Sequence, residues 1–582
     1  MRPLLFVVLL LMLAAVGRSF AQGGRTYCNP LDLNYQYNFE QRERNISYRS
    51  GADPVLINHQ GEYYLFGTIA GGYWHSKNLR DWEHVKPTGW PERDMVAPAA
   101  LSAKGKLFLF PSTYEQRPIY LVAGAEPAEI KVFNALLPYL PGAPGPWDPA
   151  LFHDEEHDRW YMYFGSSNFY PIYGIELDYE KQLAYRGTAR ELIPLRPEQH
   201  GWERFGRDHR DTIKPFIEGA WMTKYRGKYY LQYAAPGTEY NVYANGTYVG
   251  DHPLGPFAYA PNNPVSYKPG GFLTGAGHGN TFQDAYGNFW NTGTPWIAVN
   301  FNFERRIAMF PAGFDQDGLL FANTRFGDFP HYAPTRKWEN KDDLFTGWML
   351  VSYRKPCVAS SVRYPYAAAN VTDENPRTFW LATSNQPGER LTVDLDHPCE
   401  VRAVQVNFTD YRSGLFGSGT NVYTQFRLHH SLDGKTWDVM ADLSGEQRDR
   451  PNAYVELVAP RRARYVQYEH VHVGSSNLAI SDLRVFGFGA GDQPAVPARL
   501  QVRRDGDARN AFITWEEVPG AVGYNVLWGI QADKLYQTYQ VFADQGTTLE
   551  LRALSLSQKY SFAIESFNER GVSRPSEPVQ LD

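Results

Sequence analysis

Three cysteines in 582 residues are too few for a disulfide-stapled scaffold. Cys357 and Cys399 flank one later segment and could pair in an oxidising compartment, which leaves Cys28 over. The residues before Cys28, Gly-Arg-Thr-Tyr, lack the apolar and small side chains of a lipid-attachment site, so Cys28 reads as a buried thiol. A basic surplus is missing too. The 57 Lys and Arg face 63 Asp and Glu, for a formal net charge of -6, which makes nucleic acid a poor partner. Past the N-terminus no apolar run reaches membrane-spanning length, and helical three-four periodicity is scarce before residue 330.

Aromatic residues are what the chain has: 15% of the total, with 39 tyrosines and 15 tryptophans. Their faces suit the apolar faces of sugar rings and suit β-rich cores equally. The start, MRPLLFVVLLLMLAAVGRSFAQGG, has one early arginine, an apolar run of about a dozen residues and the pattern Ser19-Phe20-Ala21. We read residues 1–21 as a cleaved secretory signal, with an uncleaved anchor as the other reading. The expectation is an exported protein without a membrane span, periplasmic or extracellular and bacterial-like.

A Gly or Asp followed by alternating aromatic and aliphatic residues recurs five times. The runs are GEYYLFGT from Gly61, GKLFLFPS from Gly105, DRWYMYFG from Asp158, GKYYLQYA from Gly227 and GNFWNTGT from Gly287. Period-two alternation behind a turn residue marks a strand, and recurrence at this interval marks an array. Five four-stranded blades around an axis need about this many residues, with hairpins in a sandwich as the plainer alternative.

A short step ahead of each turn lie Asp53 in SGADPVLI, Ala97 in DMVAPAAL, Asp148 in PWDPALFH, Glu218 in FIEGAWMT and His278 in GAGHGNTF. If these positions begin innermost strands, all five converge on one mouth of a central channel. Asp-Pro is a common turn pair, so either aspartate alone reads as structural. Three acids at equivalent places in five repeats is a more specific pattern. Carboxylates so close drive their pKa values apart, as acid–base chemistry requires. His278 stays open among core ring, metal ligand and hydrogen-bond partner, while Gly275, Gly277 and Gly279 point to crowding around it.

At these residues the chain resembles glycoside hydrolase family 43, five-bladed propeller enzymes that act on furanosides and xylosides. The resemblance covers roughly Tyr27 to Pro330 and rests on ADPVLI, SKNLRDW, WDPALFHDEEHDRWYMYFG, IEGAWMTKYRGKYYLQY and GHGNTF. It implies Asp53 as general base, Glu218 as general acid, Asp148 as the modulator of the acid's pKa, and His278 beside a channel cation or water. It implies no cofactor for the chemistry. Inverting hydrolysis places its two carboxyls about 6.5–9.5 Å apart so that a water fits. Asp148 is expected to raise Glu218 by like-charge repulsion, and Asp53, nearer solvent, to stay ionised.

Trp74, Phe169, Tyr170, Trp296 and Arg305 are the candidate sugar contacts. The insertions YPYLPGAPGPWD and PNNPVSYKPGGFLTGAGHG would wall a pocket and favour exo action. The expected partner is a polysaccharide or oligosaccharide. The favoured activity is α-L-arabinofuranosidase, with β-D-galactofuranosidase, β-xylosidase and exo-β-1,3-galactanase as alternatives. A non-catalytic carbohydrate-binding protein is the rival of another class. One departure stands out: DMVAPAAL lacks a tryptophan that often precedes Ala-Pro in the family, which bears on sugar contacts and not on the acids.

Beyond the repeats, NVTDENPRTFW, LTVDL, HHSLDGKTWDVM and AISDLRVFGFG resemble a discoidin-type domain, the coagulation factor 5/8 C-terminal kind that includes carbohydrate-binding module family 32. The resemblance implies a β-sandwich with a structural calcium. Asp373, Thr378 and Asp482 are the candidate ligands, and Glu374 stands where the family has glycine. After a Gly/Pro linker, Trp515, Tyr524, Leu554 and Tyr560 resemble the core of a fibronectin type III sandwich, expected as a spacer or docking module. The whole is therefore expected to be all-β: a five-bladed β-propeller over 27–335, a discoidin-like β-sandwich over 345–488 and a fibronectin type III β-sandwich over 495–582.

Overall fold

The computed structural model describes residues 25–582 apart from 91–94, 113–117, 127, 136, 418, 420 and 505; the expected signal segment lies outside the described residues. Each alternating run is the second strand of a four-stranded antiparallel sheet. These strands are Glu62–Phe66, Lys106–Ser112, Arg159–Phe164, Lys228–Ala235 and Phe289–Gly293. Both faces of such a strand are covered, because a blade is packed between two neighbours. Tyr63, Tyr64, Leu65 and Phe66 are all buried, so the alternation is of aromatic with aliphatic rather than of apolar with polar.

The innermost strands, Val55–His59, Val96–Ala103, Ala150–Asp154, Glu218–Tyr225 and Thr281–Gln283, touch one another in sequence, and the fifth returns to the first. The result is a closed five-bladed β-propeller. Its two ends meet outside the blades, where Thr26–Tyr27 pairs with His331–Tyr332. No blade mixes the two ends. The seam is closed by backbone bonds from the segment before blade 1, Leu31 N–H to the Ile307 carbonyl and Gly51 N–H to the Arg305 carbonyl, and by side chains. Asn280 clamps the backbone of Leu56, accepting its N–H and donating to its carbonyl, both at 2.9 Å.

The next domain is one eight-stranded sheet that folds over its own core. Its two long strands, Arg390–Phe408 and Asn452–His472, pass through register shifts that let each serve both layers. Cys357 is registered with Val393, and Cys399 with Ala463 beyond one of those shifts; all three cysteines are free. The pairing of Cys357 with Cys399 is thus corrected, whereas Cys28 is buried as expected.

The last domain sets a three-stranded sheet against one of five strands. Trp515, Tyr524, Leu554 and Tyr560 are buried in its core. It is no spacer. Its core is continuous with that of blade 4, Gly201 N–H donates to the Leu554 carbonyl at 2.8 Å, and Arg325 forks onto Glu565 at 2.7 Å. Among the described residues no helix is long and apolar enough to cross a membrane.

Candidate active site

Four of the five blades enter their first strand through a non-glycine residue in the left-handed region: Asp53 (φ 53°), Ala97 (φ 36°), Asp148 (φ 45°) and His278 (φ 46°). That conformation is costly for an L side chain and here turns it toward the axis. Blade 4 differs. Gly219 (φ 63°) takes the turn, and Glu218 stands one residue ahead of it. The reason is a register shift. Glu218 pairs with Ala234 and the ladder resumes at Trp221, as Val96 pairs with Ser112 and resumes at Ala99. Blade 2 therefore offers Val96 to the cavity, and the expected equivalence of Ala97 with Glu218 is off by one.

Asp53, Asp148, Glu218, His278 and Arg305 line one cavity of about 220 Å³ at this mouth. Gln36, Asn38, Glu40 and Ser50, from the segment before blade 1, and Phe303 complete the wall. His278 Nδ1 lies 3.2 Å from Asp53 Oδ1 and 3.9 Å from Asp148 Oδ2, and Arg305 Nη1 lies 3.4 Å from Asp53 Oδ1. The Thr68 hydroxyl donates to Asp53 Oδ2 at 2.5 Å. Glu218 accepts hydroxyls from Ser166 at 3.0 Å and from Tyr243. Crowding is real: a Cβ on Gly277 would meet the Tyr243 ring at 2.7 Å.

The surroundings separate the two aspartates. Burial alone would raise Asp53, but Arg305, His278 and the Thr68 hydroxyl outweigh it and hold the carboxyl below its ordinary value. It is buried rather than near solvent, so its partners and not water keep it ionised. Burial also raises Asp148, and despite the pull of His278, the Glu218 and Asp53 carboxylates help carry it to about 7. The raised carboxyl is thus Asp148 itself. Burial would lower His278, and the three acids reverse this and raise it. Asp148, Glu218 and His278 present ligand atoms within 4.8 Å of one another, a set able to hold a cation; the ion pairs of His278 already neutralise the same charge.

Of the expected sugar contacts, only Arg305 reaches this cavity. Its Nη1 faces Asp53, and its Nε is buried without a partner. Trp74 is fully buried in blade 1, where Nε1 donates to Asn34 at 3.1 Å, and is corrected to a core residue. Trp296 is also corrected. It is buried between Tyr240, Arg207 and Arg377, although its backbone pairs with Arg305. Phe169 and Tyr170 are exposed on the same face and line a neighbouring groove. Sequence reasoning missed Tyr243, Thr68 and Ser166. Tyr243 reads as an ordinary core residue, and the hydroxyls stand at strand ends where nothing marks them.

In the second domain, Asp482 is buried and both its oxygens lack a partner. Burial, Glu374 and Asp373 push its carboxyl well above the ordinary range. Asp373 accepts from Thr378 at 2.7 Å and from the Asn375 N–H at 3.0 Å, whereas Glu374 forks onto Arg484. An orphaned carboxylate beside these oxygens fits a hard cation.

Residues 44–319 match the family model of glycosyl hydrolases family 43, and residues 357–481 match the F5/8 type C domain. A xylosidase/arabinosidase of Bacteroides ovatus is 26% identical over 195 residues, 29% of this chain and 56% of that protein. Xylosidase/arabinosidase 43A of Humicola insolens is 29% identical over 206 residues, 30% of this chain and 60% of that protein. The matched region thus spans little more than half of either relative. Among solved structures, a glycoside hydrolase aligns over 75% of this chain and 97% of its own, at 17% identity and a TM-score of 0.46.

Proposed function

Because the chain carries a glycosyl hydrolases family 43 domain followed by an F5/8 type C domain, we propose that it is an exported, inverting exo-glycosidase that removes terminal pentosyl residues from a polysaccharide or oligosaccharide. The α-L-arabinofuranosyl residue is the first choice and β-D-xylosyl the second. One observation carries the reading: the carboxyls of Asp53, Asp148 and Glu218 share a single cavity of about 220 Å³ with His278 and Arg305. That volume is below the usual range for drug-sized ligands and suits one sugar ring. The names of the two relatives favour a pentose. β-D-Galactofuranosides and exo-β-1,3-galactans are the alternative substrates.

In this reading a water oxygen attacks the anomeric carbon as the glycosidic C–O bond breaks. The water's proton passes to Asp53, Glu218 protonates the leaving oxygen, and the configuration inverts. Asp53 suits the base because Arg305 and His278 keep it ionised while Thr68 fixes one oxygen. Asp148 supports the acid. It holds a proton up to about 7, and the Ser166 hydroxyl interacts with both Asp148 and Glu218. All transferred protons run through these side chains.

The test is hydrolysis of nitrophenyl α-L-arabinofuranoside, β-D-xyloside, β-D-galactofuranoside and β-D-galactoside, with the first-formed anomer read by NMR. Activity on one pentoside is expected to fall about a thousandfold in Glu218→Ala and in Asp53→Ala. Sugar binding without turnover in the wild type would instead favour the binding-protein reading.

For the F5/8 type C domain we propose a structural calcium on Asp482, with Asp373 and Thr378 beside it, supported by the two unpartnered oxygens of Asp482. Calcium would supply charge neutralisation there. EDTA is expected to lower the Tm of the wild type, with calcium restoring it, and to leave Asp482→Asn unchanged. A wild-type Tm indifferent to EDTA would mean that Asp482 is neutralised by its proton.

A further inference from the structure

The groove beside Glu218 has no role in the reading so far. Segment 165–171 joins the second and third strands of blade 3. It lies at the mouth, because strand Ala150–Asp154 begins there and strand Arg159–Phe164 ends there. It is tied to the strand that carries the acid. Ser167 and Ile217 exchange two backbone hydrogen bonds of 3.0 Å, and Ser166 donates to Glu218.

The following turn is pinned by Ser167 Oγ, which accepts the backbone N–H groups of Phe169 and Tyr170 at 2.9 and 3.1 Å. This fixed turn presents two rings to water: Phe169 is 75% exposed and Tyr170 48%. The Lys214 ammonium stands 5.0 Å from the Phe169 ring centre. Beneath them runs a groove of about 430 Å³. Adjacent exposed rings on a rigid turn are apolar surface that a ligand can cover, and aromatic walls with a few polar groups are the usual lining of a ligand site.

Position selects the ligand. A general acid stands on the leaving-group side of the bond it cleaves, so the departing sugar chain emerges past Glu218 and over Ser166 and Ser167. We propose that this groove is the leaving-group site. Phe169 and Tyr170 stack sugar rings on that side of the scissile bond, and Lys214 meets their hydroxyls. The inference rests on the hydrolase reading above and deepens it, making the preferred substrate a sugar chain rather than a glycoside with a small leaving group.

The test compares arabino- and xylo-oligosaccharides from dimer to pentamer in wild type and in Phe169→Ala/Tyr170→Ala. Wild-type kcat/KM should rise with chain length, and truncation should flatten that rise, with a loss on the pentamer about tenfold greater than on the nitrophenyl glycoside. Phe169→Tyr/Tyr170→Trp, which keeps both rings, should restore the rise. Pentamer binding to Glu218→Gln, followed by tryptophan fluorescence with and without the two rings, is read in parallel. No gain with length in the wild type, or the same gain in the truncated protein, overturns the groove. If nothing is hydrolysed while ring-dependent binding persists, the hydrolase reading falls and the groove stands as an oligosaccharide site. Binding indifferent to the rings removes the groove alone.

Discussion

At the residue scale, position around one axis decides what each acid is. Asp53 and Asp148 both begin strands, both precede proline and both are buried, yet one is held ionised and the other protonated to about 7. The difference is Arg305 and Thr68 against Glu218. The basic limb of kcat/KM should therefore fall near pH 7, as a property of the Asp148–Glu218 pair. Asp148→Asn, which removes the carboxyl raised to about 7, should displace that limb. The same carboxyl has a stability consequence. Its folded pKa lies above the ordinary carboxylate value, so the folded state binds the extra proton and loses stability as pH rises from about 4 to 7. Asp148→Asn should match the wild type at low pH and exceed its Tm by a margin that grows to neutrality, measured by thermal melts across that range.

At the element scale, the ring is stitched by hydroxyls, one amide and the seam's backbone bonds rather than by a shared blade. Asp53, Ala97 and Asp148 each donate the backbone N–H of their strained turn to a hydroxyl at a second-strand end of the preceding blade: Thr294 at 3.0 Å, Thr68 at 2.8 Å and Ser112 at 2.9 Å. The Thr294 stitch crosses the seam between blades 5 and 1, as does the Asn280 clamp. Asn280→Ala would leave a buried N–H and a buried carbonyl unpaired at that seam. We expect a loss of about 2–4 kcal/mol in urea denaturation. Thr68→Val should unpair the Ala97 N–H and raise Asp53 as well, moving the acidic limb of activity to higher pH. The strands themselves were legible from GEYYLFGT and its counterparts. The stitches were not, because serine and threonine at strand ends carry no period.

At the scale of the whole molecule, the three domains are one packed body joined by buried charge. Arg49, ahead of blade 1, reaches Asp410 at 2.7 Å and Asp449 at 2.8 Å in the second domain, with all three side chains buried. Removing the guanidinium strands two carboxylates, and Arg49→Ala should cost about 3–5 kcal/mol. The last sandwich covers blade 4 through Trp528 and Leu554, and its Glu565 accepts the fork of Arg325, which follows blade 5. A chain ending at residue 488 should therefore melt lower than the full chain in calorimetry, with blade 4 losing apolar cover.

The sequence by itself determined the blades and the three acids, because both are periodic: a turn residue ahead of alternating rings, and a carboxyl at a near-constant step before it. It also determined the second domain through NVTDENPRTFW and its companions. Only the tertiary structure decided which aromatics meet the cavity. Trp74 and Trp296 have the composition of sugar contacts, but the faces they occupy are covered by blade packing and by Arg377 of the second domain. It alone decided that Asp148, and not Asp53, is raised, since Arg305 and His278 come to Asp53 from blade 5, far along the chain. Local pattern writes strands, whereas charge, burial and the choice of partner depend on groups that only the closed ring brings together.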